Sequence, residues 1–147
     1  MGVRLSCCGS IEGHIKDRAK KAKVAMSKIK KPQLLSIDTA LTIFNICVAP
    51  VATYGTEVVW EQMTIRLCML MESVKATFLK RCLGVARGTR NRDVYSWLGV
   101  NSFVEEMVVR YNLSWTSAAL KYIQGFRDKI NEVSRRGPFW GSFLNPR

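Results

Sequence analysis

Metal-assisted phosphoryl transfer needs carboxylates that converge on paired cations, and this sequence supplies few candidates. Its eleven Asp and Glu are scattered along 147 residues. The adjacent pair Glu105-Glu106 follows Ser102 in a capping-box pattern, where acidic groups complement the positive end of a helix. Asp17, Asp38, Asp93 and Asp128 stand apart, and no Tyr–x–Asp-Asp turn occurs. The single histidine, His14, has no Cys or Asp spaced to make it a base or a ligand; a position at the start of a helix accounts for it. No Gly-rich phosphate loop and no Gly–x–Ser–x–Gly elbow is present. The expectation is therefore a chain with no catalytic residues, no metal and no cofactor.

The basic residues carry a stronger signal. The formal charge is +12, with a pI near 9.9, a balance suited to a polyanionic partner. Residues 1–31 and 80–147 each carry a net +7, around a segment 32–79 of net −2. Taking 100° per residue, Lys16, Lys20, Lys23 and Lys31 fall within about 80° on a helical wheel, and Lys30 flanks them. A loop adds Arg87, Arg90 and Arg92. The alternative, a solvated helix face, stays open; the total charge favours phosphate contact.

These residues need elements to hold them. The period is close to 3.6 almost throughout, so the fold class is all-α, with about five helices. Helices are predicted near 13–30, 36–49, 64–83 and 103–123, with a short one through Tyr95 to Leu98 and a last one over 128–136. Ile15, Ala19, Ala22, Met26 and Ile29 form a narrow stripe, closed by Pro32. Ser36 and Thr64 are N-caps, and Gly84 is a C-terminal stop.

Leu41, Phe44, Ile46, Cys47 and Val48 make the second helix apolar nearly all round, the pattern of a central core helix, ending by Pro50. Buried positions should include Phe44, Cys47, Leu67, Met71, Val74, Phe78, Met107 and Trp115. Tyr54, Trp60 and Tyr111 are core anchors by the same logic. By segment, residues 1–12 read as a strand-and-turn remnant, 13–136 as the helical region, and 137–147 as an irregular aromatic tail.

The cysteines Cys7, Cys8, Cys47, Cys68 and Cys82 are odd in number and lack the short spacing of a zinc knuckle. Reduced thiols suit an intracellular setting, nuclear or cytoplasmic. The most apolar window, Ala40–Val51, is shorter than the ~20 residues that span a bilayer, so no membrane partner is expected.

The corner Pro50-Val51-Ala52-Thr53-Tyr54-Gly55-Thr56-Glu57-Val58-Val59-Trp60 joins two apolar segments. It resembles the Pro–Tyr-Gly–Glu–Trp corner beyond the catalytic palm in reverse transcriptases of non-LTR retrotransposons. The likeness extends over about residues 2–110. Gly2-Val3-Arg4-Leu5 is similar to the end of the strand after the palm, and His14-Ile15 with Lys21-Ala22 to the Lys/Ala-rich helix that follows. Glu72, Val74, Phe78-Leu79-Lys80-Arg81 and Leu83-Gly84-Val85 match a further helix. Arg87, Thr89, Asn91, Leu98-Gly99 and Arg110 continue the pattern. Val58 and Val59 both stand between Glu57 and Trp60, where the family has one residue.

The resemblance implies a thumb and post-thumb region that holds template and primer without performing the chemistry. A fragment lacking the palm is expected, inactive alone and binding RNA, DNA or their hybrid, with a palm domain as a further partner. The competing expectation is a non-catalytic helical protein–protein module.

Overall fold

The computed structural model describes residues 11–135, and these are helical with no strand among them. The expected strand remnant at 2–5 and the aromatic tail lie outside the described residues. Helix α1 (Glu12–Ser27) is followed by a 3-10 turn at Pro32–Leu34. Next, α2 (Ile37–Ile43), a π-helical turn (Phe44–Val48) and α3 (Ala49–Thr53) follow one another without a break. The remaining helices are α4 (Thr56–Val59), α5 (Ile65–Leu83), α6 (Asn91–Leu98), α7 (Phe103–Arg110) and α8 (Ser117–Arg135).

The central element is α5, not the helix of Leu41 to Val48 that apolarity all round had singled out. It packs against α1, α6, α7 and α8. Thr64 caps it, its Oγ1 accepting the Leu67 N–H at 3.2 Å. Gly84 ends it at φ 71°, with the Val85 N–H reaching the Lys80 carbonyl at 3.1 Å. This is the left-handed Schellman stop that glycine adopts without a Cβ clash. Ser36 likewise caps α2, accepting the Thr39 N–H.

Two ring clusters fill the core. Phe44 meets Phe78 at 5.2 Å and Phe103 at 5.5 Å between ring centroids, tying α5 to α7 and to the run of α2 and α3. Tyr95 meets Phe126 edge-on at 4.9 Å, tying α6 to α8. Each such side chain stabilises the fold by about 1.5–3 kcal/mol when fully buried.

Three expectations are corrected. First, Pro50 does not end its helix. Proline cannot donate to the carbonyl four residues back and crowds it. The π turn just ahead relieves this, as the Ala49 N–H bonds to the Phe44 carbonyl five residues back. The wider turn also shifts the helical phase. Phe44 and Val48 stay buried, whereas Ile46 is 68% exposed and Cys47 is exposed as well.

Second, the helix expected over 103–123 is two helices. Asn112 takes a positive φ of 52°, and Thr116 then caps α8 through the Ala119 N–H. The buried face of α8 is Ala119, Ile123 and Phe126, one residue out of phase with the stripe running through Tyr111, Trp115 and Tyr122. Trp115 is consequently 49% exposed and Tyr111 42%. The short helix expected over 128–136 is, through Arg135, the end of α8; residue 136 lies outside the described residues.

Third, α1 stops at Ser27 rather than near residue 30. Arg81 of α5 donates to the Met26 carbonyl at 2.8 Å and to the Ile29 carbonyl at 3.1 Å. A tertiary partner thus adds a second donor to the Met26 carbonyl, which already accepts the Ile29 N–H at 3.0 Å, and fixes the chain just beyond the helix. Phe44, Leu67, Met71, Val74, Phe78 and Met107 are buried as expected.

The Pro50–Trp60 corner is pinned from both sides. Tyr54 (φ −54°, ψ 122°) and Gly55 (φ 73°, ψ 0°) form a type II turn, which requires a positive φ at its third residue. The buried His14 directs Nε2 at the Tyr54 carbonyl, 3.2 Å away, and a carbonyl can only accept. Arg18 Nε donates to the Val51 carbonyl at 2.8 Å, and its guanidinium lies over the Tyr54 ring at 4.9 Å. Tyr54 is thus a half-covered stacking partner, 45% exposed, rather than a core anchor. Trp60 is the core anchor, and its Nε1 donates to the Ser114 carbonyl at 2.7 Å. Pro50 and Glu57 are exposed.

Candidate nucleic-acid interface

A helix turns by 100° per residue, so side chains spaced four and three residues apart share a face. Lys16, Lys20 and Lys23 do so on α1, all three exposed, and they line a shallow hollow with Ala19, Val24 and Leu70 of α5. Lys16 and Leu70 continue into a second hollow of about 670 Å³, which adds Arg66 and Met69. Met69 in turn borders a third, of about 570 Å³, with Ile65, Arg90, Arg92, Tyr122 and Lys129. Adjacent hollows share lining residues, Lys16 and Leu70 between the first two and Met69 between the second and third, and the row makes a shallow trough over the outward face of α5.

Seven basic side chains line this trough: Lys16, Lys20, Lys23, Arg66, Arg90, Arg92 and Lys129. Glu12 is the acid among the lining residues. Lys16 pairs with it at 3.0 Å and holds its carboxyl below the usual range. An exposed pair of this kind contributes little to stability. Arg90 and Arg92 are positioned by α6, as its N-cap residue and a first-turn residue. Arg92 lies 3.8 Å from Glu132 through Nη1, while its Nε is buried without a hydrogen-bond partner.

The other expected contacts lie elsewhere. Lys30 and Lys31 are exposed but follow the end of α1, and Lys31 takes a left-handed φ of 51°. The helical wheel that grouped Lys31 with the α1 lysines therefore does not apply to it. Arg87 is exposed in the turn before α6, where its carbonyl accepts Lys80 Nζ at 2.9 Å. None of the three lines the trough. Two residues that do, Arg66 and Lys129, were not among the expected contacts. Arg66 lies on the polar arc of α5, a signal readable in the sequence. Lys129 depends on how α8 packs.

Behind the trough lies a buried polar centre. The Glu72 carboxylate accepts Ser102 Oγ at 2.9 Å, the Phe103 N–H at 2.8 Å and the Val104 N–H at 3.3 Å, together with the Tyr95 hydroxyl. Burial pushes the Glu72 carboxyl up, and these donors oppose the shift. Burial, with the Glu72 charge beside it, raises the Tyr95 phenol too. Three residues along α5, Lys75 is nearly enclosed; it donates to the Asn101 carbonyl at 3.0 Å and pairs with Glu106. Each of these groups has a structural partner, and the centre orients α7 on α5.

No group of three metal-ligating side chains occurs among the described residues. No single helix there is long and apolar enough to cross a membrane; Ile37–Thr53 and Thr56–Gln62, bent by 50°, reach that measure only together. No family model, curated protein or solved structure matches the chain.

Proposed function

We propose that this chain corresponds to the thumb and post-thumb region of a non-LTR retrotransposon reverse transcriptase and binds nucleic acid through its basic trough. Two independent features support the reading. The ordered run of motifs from Gly2 to Arg110 resembles that family. The all-helical fold assembles basic residues from four separate helices on one face, and this juxtaposition carries the proposal. The proposed role is to hold a strand rather than to extend it.

The test is the salt dependence of binding. Each lysine that engages a phosphate releases a counterion, lowering log affinity by ~0.7–0.9 per unit of log salt. Engagement of three or four lysines gives a slope of roughly −2 to −4, and replacing Lys16, Lys20 and Lys23 together by Gln flattens it by about two units. A triple variant that keeps the full slope would reduce this face to a solvated one.

A second reading, a helical docking module, is favoured by one observation. Ile46 is 68% exposed and Val109 69%, and the adjacent Asn45 and Arg110 meet across the surface at 3.5 Å. Stoichiometric self-association without salt-dependent nucleic-acid binding would support it.

A further inference from the structure

We propose that the trough selects single-stranded over duplex nucleic acid, because its floor is apolar where its banks are basic. The inference rests on the nucleic-acid reading above and assigns the trough to an unpaired stretch of template rather than to paired template and primer.

Ile65 and Met69 lie four residues apart on α5 and therefore on one face. They are 42% and 58% exposed. Tyr122 and Phe126 of α8 line the same hollow, while Arg90, Arg92 and Lys129 also border it. Lys16, Lys20 and Lys23 form the opposite bank beyond Leu70. A duplex keeps its base faces stacked inside and presents phosphate and sugar, so it would leave this apolar floor uncompensated. A single strand exposes π-faces that can lie on apolar and aromatic side chains while its phosphates meet the flanking cations. The concave third hollow, about 570 Å³, suits an unstacked base better than the convex wall of a duplex.

The experiment compares labelled oligothymidylate and oligouridylate with a hairpin duplex of equal phosphate count, at several salt concentrations. The probes are run on the full chain and on its Ile65→Gln/Met69→Gln variant. Both positions are exposed, and retained helicity by circular dichroism confirms folding. Tighter binding of the single strands is expected. In the variant, their affinity should fall roughly tenfold with the loss of apolar contact beneath a base, with the salt slope and duplex affinity unchanged. Duplex binding equal to or tighter than that of the single strands would overturn the proposal. So would a variant with undiminished single-strand affinity, or polyglutamate binding as tightly as the oligonucleotides. Absence of salt-dependent binding to every probe would instead remove the nucleic-acid reading itself.

Discussion

Glu72, midway along α5, accepts the backbone N–H of Phe103 at 2.8 Å, so a side chain of one helix caps the first turn of another. Ser102 has a double role there. Its Oγ accepts the Glu105 N–H at 3.2 Å and donates to Glu72 at 2.9 Å. The Glu105 side chain does not close the capping box; it bonds Arg127 of α8.

Glu72→Gln is expected to destabilise the fold by about 1–3 kcal/mol, because one oxygen that receives an N–H becomes an NH₂ donor. The pH dependence should change as well. The ordinary value for a glutamate is 4.5, and burial raises it in the folded chain. The folded state therefore holds this proton more tightly than the unfolded state, so this contribution is complete below the ordinary value and is lost as pH rises through the raised one. Urea unfolding followed from acid to neutral pH should show that decline in the parent and lose it in the variant. An identical pH profile in the two would contradict the assignment.

Gly55→Ala should cost about 1–2 kcal/mol, the penalty of a left-handed conformation for a residue with a Cβ. The turn sits at φ 73° between α3 and α4. Thermal denaturation of the variant measures the loss, and an unchanged Tm would show that the turn relaxes freely.

Arg81→Met keeps much of the side-chain volume but withdraws the donors to the Met26 and Ile29 carbonyls. A loss of about 1–3 kcal/mol is expected, with amide exchange rising first in the last turn of α1. Exchange that rises uniformly along the chain would argue against a local role.

Thiol reactivity separates the cysteines. Cys47 is exposed, whereas burial pushes Cys68 up to about 12 and Cys82 up to about 11. The reactive form is the thiolate. Alkylation of the native chain, read by peptide mapping, should label Cys47 rapidly and leave Cys68 and Cys82 until urea is added. Equal labelling of Cys47 and Cys68 would place the π turn in doubt.

Much of the fold was legible in local pattern. Ser36, Thr64 and Gly84 act at the ends of α2 and α5 through short-range backbone chemistry, which is why their residue types alone revealed them. The apolar face of α5, from Leu67 to Phe78, follows from helical period. So does the shared face of Lys16, Lys20 and Lys23. Other features depended on partners distant in the chain. Arg81 sets where the carbonyls of α1 are met, and Trp60 and Ser114 help set the path between α7 and α8. Periodicity ran straight through that second break because Tyr111 and Trp115 prolong the stripe of α7. Glu72 and Lys75 could be buried because donors and acceptors arrive from α6, α7 and the loop at Asn101. A sequence states which residues can pair along a helix; which helices meet, and thus which basic residues gather beside Met69, follows from packing side chains far apart in the chain around α5.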